Sequence, residues 1–175
     1  MKSLIRSWLG VAESDSKEAP TALRGLLEAL DRLEPDRARY LARFAYLLGH
    51  IAHADHHVSP VETREMERLI EEHGGIASEQ AMLVVGLAKT SSLLFAGTED
   101  FIVARDFAAS ATHEQKIALL RCLFAVSAVE GNISIAEERE IQRIARALRI
   151  EQPDVVALRL EYRKHLPGLT DRSDE

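Results

Sequence analysis

The sequence predicts an all-α protein, a compact bundle of about seven to eight helices built from two pseudo-symmetric helix-turn-helix repeats. Three observations predict it. Apolar residues recur at helical spacing along most of the chain, strand signatures are scarce, and one stretch returns 75 residues later with its polar residues in register (Asp55 to Glu130). Composition agrees: 46% of the 175 residues are apolar, enough for a packed core. Aromatic residues make up 5%, and nine glycines and five prolines are too few for a collagenous or low-complexity chain.

The elements follow in order. Residues 1–20 read as an N-terminal helix and linker. Leu4, Ile5, Trp8 and Leu9 share one helical face, which is expected to dock on the body through Trp8, and Glu13 to Pro20 has linker composition. The start is too short and polar for a secretory signal. The helical domain spans 21–167. Its first helix runs from Thr21 to Leu33 with Leu23, Leu26, Leu27 and Leu30 inward, and Pro35 breaks it. Asp36 to Ala54 follows, with Leu41, Phe44, Ala45, Leu48 and Ile51 on one side. Ser59 to His73 ends at Gly74-Gly75, and Ser78 to about Ser92 carries Met82, Val85 and Leu87 at helical spacing, with Leu94 nearby. A weaker pattern covers Glu99 to Ala109. Thr112 caps a helix reaching Val129 with Ile117, Leu120, Phe124 and Ala128 inward; Ser134 to Leu148 and Pro153 to His165 complete the set. Leu166-Pro167-Gly168 stops the last helix, and 168–175 is expected to be a disordered tail.

Charge narrows the partners. Acidic residues outnumber basic ones by 28 to 22, so a nucleic-acid partner, which needs a basic face, is not expected. No run of 18 apolar residues occurs, hence no transmembrane segment is expected. One cysteine, Cys122, rules out an internal disulfide and a cysteine-based zinc framework. It sits among Leu119, Leu120, Leu123 and Phe124 and reads as a buried, inert thiol. A cytoplasmic location is the expectation from these features. No phosphate-cradling glycine loop, nucleophile elbow or His-Glu-x-x-His is present, so the chain is not expected to be an enzyme.

The repeat carries the functional signal. Residues 48–70 align without gaps to 123–145, with identities at Leu48/Leu123, Ser59/Ser134, Glu62/Glu137, Arg64/Arg139, Glu65/Glu140 and Arg68/Arg143. Each unit is a helix, a tight turn and a second helix. Gly131 stands where the first helix of the second unit must end in a left-handed residue, and His56 takes that place in the first unit. Val58 or Ile133 then turns inward, and Ser59 or Ser134 caps the next helix, Pro60 suiting its first turn. Ser-x-x-Glu is a capping box, which is sufficient to explain each Ser–Glu pair by itself. It does not explain Asp55 and Glu130, acids at helix C-termini where the macrodipole disfavours them.

Glu62 and Glu137 are also in line with the buried stripes of their helices (Met66 and Leu69; Ile141 and Ile144). If the units pack about a pseudo-twofold axis, Asp55, Glu62, Glu130 and Glu137 converge. Four such charges need protonation, arginine partners (Arg64, Arg68, Arg139 and Arg143 are at hand) or a hard divalent cation. His50, His53, His56 and His57 form a second cluster. His53 and His57 have an i, i+4 chelating spacing, but histidines at a helix C-terminus also simply complement its dipole. Seven residues from acid to glutamate are too few for a twelve-residue calcium loop.

The motif of helix, acid, turn, Val/Ile, Ser-x-x-Glu, occurring twice, resembles the tellurite-resistance TerB-like family, including the related helical region of DjlA-type co-chaperones. That family has a signature close to Ala-Asp-Gly-x-Val/Ile-Ser-x-x-Glu. Ala54 to Glu62 matches it with His56 in place of glycine, and Val129 to Glu137 keeps Gly131 but carries Glu130 in place of aspartate. The resemblance covers roughly Asp36 to His165. It implies a non-enzymatic domain whose metal ligands are Asp55, Glu62, Glu130 and Glu137, with a divalent ion (Ca, Mg, Mn or Zn) as cofactor. It further implies a stress, tellurite-resistance or metal-linked accessory role exercised through a protein partner. A homo-oligomer is left open. The alternative is a metal-free helical protein-interaction module, a co-chaperone-like scaffold, whose acids are satisfied by capping and arginine pairing.

Overall fold

A computed structural model describes residues 21–52, 59–94, 100–129 and 131–166. They form eight α-helices and no strand: α1 (Thr21–Asp31), α2 (Pro35–Ala52), α3 (Pro60–Gly74), α4 (Ser78–Leu94), α5 (Asp100–Ser110), α6 (His113–Ser127), α7 (Ile135–Ala147) and α8 (Gln152–Glu161). A short 3-10 turn, Arg163–His165, follows. The predicted N-terminal helix (1–20), the turn His53–Val58, and the tail 168–175 lie outside the described residues.

Helix ends obey local chemistry. Pro35 does not merely stop the helix before it but opens α2 as its first residue, where its missing N–H costs nothing. Ser59 and Ser134 cap α3 and α7 in full capping boxes with Glu62 and Glu137. A third box, Thr112 with Gln115, starts α6. Gly75 ends α3 at φ 59°, the left-handed conformation a residue without Cβ adopts freely. The end of α7 reaches a left-handed residue without glycine: Arg149 has φ 56°, and Ile150 N–H bonds back to the Ala145 carbonyl.

The core is centred on α2, which packs against α1, α4, α5, α6 and α7. Leu41, Phe44, Ala45, Leu48 and Ile51 are all buried on it, as the heptad-like spacing requires. Phe44 and Tyr40 meet Phe107 of α5, the latter as stacked rings 5.5 Å apart. Cys122 is fully buried, and burial pushes its thiol up to about 12. The two repeat units interlock: α2 touches α6, α3 packs on α6, and α7 packs on α2.

Two expectations change. Met82 is 57% exposed, because α4 is contacted by α1, α2 and α3 from its other sides. The final helix ends at Glu161 and continues only as the 3-10 turn. Glu138, next to the capping Glu137, has a side chain only 15% exposed and is paired to Arg159 of α8.

Candidate functional site

The second helix of each unit begins with a carboxylate held by its own cap. Ser59 N–H donates to Glu62 Oε2 at 2.5 Å, and Glu62 N–H donates to Ser59 Oγ at 3.2 Å. In the second unit Ser134 N–H donates to Glu137 Oε2 at 2.8 Å, and Glu137 N–H to Ser134 Oγ at 3.2 Å. The duplication seen in sequence is therefore a duplication of hydrogen bonds. Both glutamates are half-buried, so the stripe alignment read from sequence places them at the edge of the core rather than inside it. The Ser59 backbone N–H, and secondarily its side chain, holds the Glu62 carboxyl below its ordinary value, so it is ionised at neutral pH.

Each box uses one carboxylate oxygen. Among the described residues, Oε1 of Glu62 and Oε1 of Glu137 receive no hydrogen bond or ion pair. Of the nearby arginines, Arg64, Arg68 and Arg143 are committed elsewhere. Arg68 binds Glu65 at 2.7 Å and Glu72 at 2.5 Å, and Arg143 binds Glu140 at 2.5 Å, so the repeated Glu-x-x-Arg pairs make equivalent bridges on both helices. Arg64 Nε donates to the Pro60 carbonyl. Arginine pairing thus leaves the capping carboxylates unneutralised.

The second turn is braced from the C-terminus. Gly131 has φ 104°, and the chain then buries Ile133, whose N–H donates to the His165 carbonyl at 2.7 Å. His165 Nδ1 in turn lies 2.6 Å from the Gly131 carbonyl. A side chain at position 131 would be strained at this φ, which is why the sequence places glycine there.

Asp55 and Glu130, together with His53, His56 and His57, lie outside the described residues. Among those described, no three His, Cys, Asp or Glu side chains gather as a metal-holding group. Glu62 and Glu137 stand on helices that flank the α2–α6 pair, since α3 packs mainly on α4 and α6, and α7 on α6, α2 and α5. Hard oxygen donors with one open oxygen each suit a divalent cation in chemistry.

Sequence reasoning singled out His50 in the histidine cluster but not the contacts that it and His113 make. His50, the described member of the histidine cluster, sets its ring edge-on to Tyr46 at 4.9 Å and lines an apolar pocket with residues of α5 and α7. His113 approaches Asp154 at 3.3 Å across a shallow α6–α8 cleft. The His50 pocket and the His113–Asp154 approach have no sequence signal, because each joins helices distant along the chain. Among the described residues no helix is long and apolar enough to cross a membrane.

The family model for tellurite resistance protein TerB matches residues 41–160, from within α2 to near the end of α8. No curated protein and no solved structure matches the chain.

Proposed function

The chain belongs to the tellurite resistance protein TerB family, whose model spans well over half of it, and on that premise we propose that it is a non-enzymatic divalent-cation-binding domain. The ligands are Glu62 and Glu137 through their open Oε1 atoms, with Asp55 and Glu130 from the two turns. The observation that carries this reading is the duplicated, half-used carboxylate: twice a capping box fixes a glutamate in the first turn of its helix and leaves one oxygen unspent. A calcium, magnesium, manganese or zinc ion would supply charge neutralisation to those acids. The domain then acts as an accessory in stress or tellurite resistance through a protein partner, in the cytoplasm, with no catalytic step of its own.

A second reading is a metal-free interaction module of co-chaperone-like type. It is favoured by the same hydrogen bonds, since the caps account for both glutamates without any ion.

Thermal melts of the full chain in EDTA and with Ca²⁺, Mg²⁺, Mn²⁺ or Zn²⁺ separate the two. An ion present at a hundred times its dissociation constant adds about 2.7 kcal/mol to stability. The double substitution Glu62→Gln, Glu137→Gln keeps both boxes, because glutamine also serves in them. It should leave the EDTA melt nearly unchanged and remove the ion-dependent shift. No shift with any ion in the parent chain would leave the metal-free module as the reading.

A further inference from the structure

The turn from Gly131 to Ser134 leads into α7 and its capping glutamate, and His165, 34 residues beyond Gly131, grips it twice. The His165 carbonyl accepts the Ile133 N–H at 2.7 Å. Its ring Nδ1 lies 2.6 Å from the Gly131 carbonyl. A carbonyl can only accept, so Nδ1 carries the proton of that bond. The grip is itself anchored. Tyr162 stacks on Phe124 of α6, with centroids 5.5 Å apart and planes 11° from parallel, and Leu166 is 1% exposed. Between those anchors the 3-10 turn Arg163–His165 closes through His165 N–H to the Tyr162 carbonyl. On the facing side Ile133 is buried, and the next amide, Ser134 N–H, is the one that holds Glu137 Oε2 at 2.8 Å. Consecutive amides thus join His165 to the Glu137 carboxylate.

We propose that His165 is a positioning residue for cation binding: it sets the Gly131–Ser134 turn and, through Ser134, the direction in which Glu137 presents its open Oε1. The inference rests on the cation reading above and extends it to a residue outside the family match, which covers residues 41–160. Its basis is preorganisation. A carboxylate that must be ordered when the ion arrives subtracts the entropy of ordering from the binding free energy. Glycine at position 131 makes that cost large, because it has the most backbone freedom to lose. The Nδ1–H bond to the Gly131 carbonyl meets the cost in the ion-free chain. The other half of the grip, from Ile133, is backbone to backbone, so a substitution at position 165 removes the imidazole bond alone.

Calorimetric titration of the full chain with Ca²⁺, Mg²⁺, Mn²⁺ and Zn²⁺, beside amide NMR in EDTA, tests it. His165→Ala should weaken binding of whichever ion the parent chain takes by about fivefold, the equivalent of one intramolecular hydrogen bond. In EDTA its Ile133 and Ser134 amides should exchange faster, while those of Ser59 and Glu62 stay as they were. His165→Asn, whose amide nitrogen is bonded to Cγ as Nδ1 is, should restore the affinity; His165→Gln, one methylene longer, should not. The Asn–Gln comparison decides the matter even if the alanine chain does not fold. Cys122→Ala separates position from stability: it should lower the EDTA melt and leave the affinity unchanged. Absence of binding by the parent chain with all four ions would end the cation reading and this inference with it. Binding by the parent with unchanged affinity in His165→Ala, equal affinity in the Asn and Gln variants, or unaltered Ile133 and Ser134 exchange would overturn the role of His165 alone and leave the cation reading standing.

Discussion

Glu138 and Arg159, 21 residues apart, meet at 2.5 Å and tie the first turn of α7 to the last turn of α8. Their side chains are 15% and 32% exposed, so the pair is sheltered enough to matter and open enough not to carry a full desolvation penalty. The carboxylate also lies at the positive end of the α7 dipole and the guanidinium at the negative end of α8. Arg159→Ala should therefore lower stability by about 1.5–3 kcal/mol in urea unfolding, the range for a hydrogen bond to a charged group. Glu138→Ala should cost at least as much, and the double substitution should cost less than the sum of the two.

Arg149 occupies the left-handed region at φ 56°. Its Cβ is disfavoured there by steric contact with its own carbonyl, and its side chain is exposed. Arg149→Gly should stabilise the chain by about 0.5–1 kcal/mol despite the added freedom of the unfolded state. A loss in the denaturation midpoint would show that the arginine makes a contact worth more than the strain.

Cys122 is buried beneath α3, with its Sγ 3.4 Å from where a Cβ on Gly74 would stand. Burial raises its thiol from 9.0 to about 12. Two results follow. The native protein should resist a disulfide exchange reagent at pH 8 and react fully in urea. Because the folded value lies above the unfolded one, this group's contribution is intact below pH 9 and declines as pH rises toward 12, when the unfolded thiol ionises first. Cys122→Ala should remove that alkaline loss, at the cost of a small cavity.

Glu62 behaves with the opposite sign. Its folded carboxyl is held below the ordinary 4.5 by the Ser59 hydrogen bonds. The stabilisation it contributes is complete above that ordinary value and fades as pH falls through the lower folded value. Urea midpoints measured from pH 7 to pH 2 should fall less steeply in Glu62→Gln than in the parent chain. Parallel curves would mean that the cap does not discriminate between the carboxylate and its protonated form.

Much of the fold was legible because its determinants are local. A serine three residues before a glutamate satisfies two helix N-terminal amides within one turn, and both boxes formed as read. Gly131 takes the positive φ that its place after a helix demands. The repeated Glu-x-x-Arg spacing closes into equivalent bridges on α3 and α7. By contrast Met82, on a helix rich in apolar residues all round, could not be turned inward or outward by periodicity, since α4 lacks a single polar face. The candidate acids divide in the same way. Glu62 and Glu137 owe their conformation to their own serines, and are the part of the site that spacing could predict.

The sequence by itself determined where the helices lie, how they are capped and which side of most of them is buried, because those choices are settled between residues no more than four positions apart. Tertiary packing alone decided that Glu138 meets Arg159, that the units interlock with α3 on α6 and α7 on α2, and that α2, α5 and α7 leave an apolar hollow under His50, Arg143 and Arg146. Those contacts join residues dozens of positions apart, and the free energy that selects them is the burial of the whole core, a non-directional quantity that no short spacing in the chain encodes.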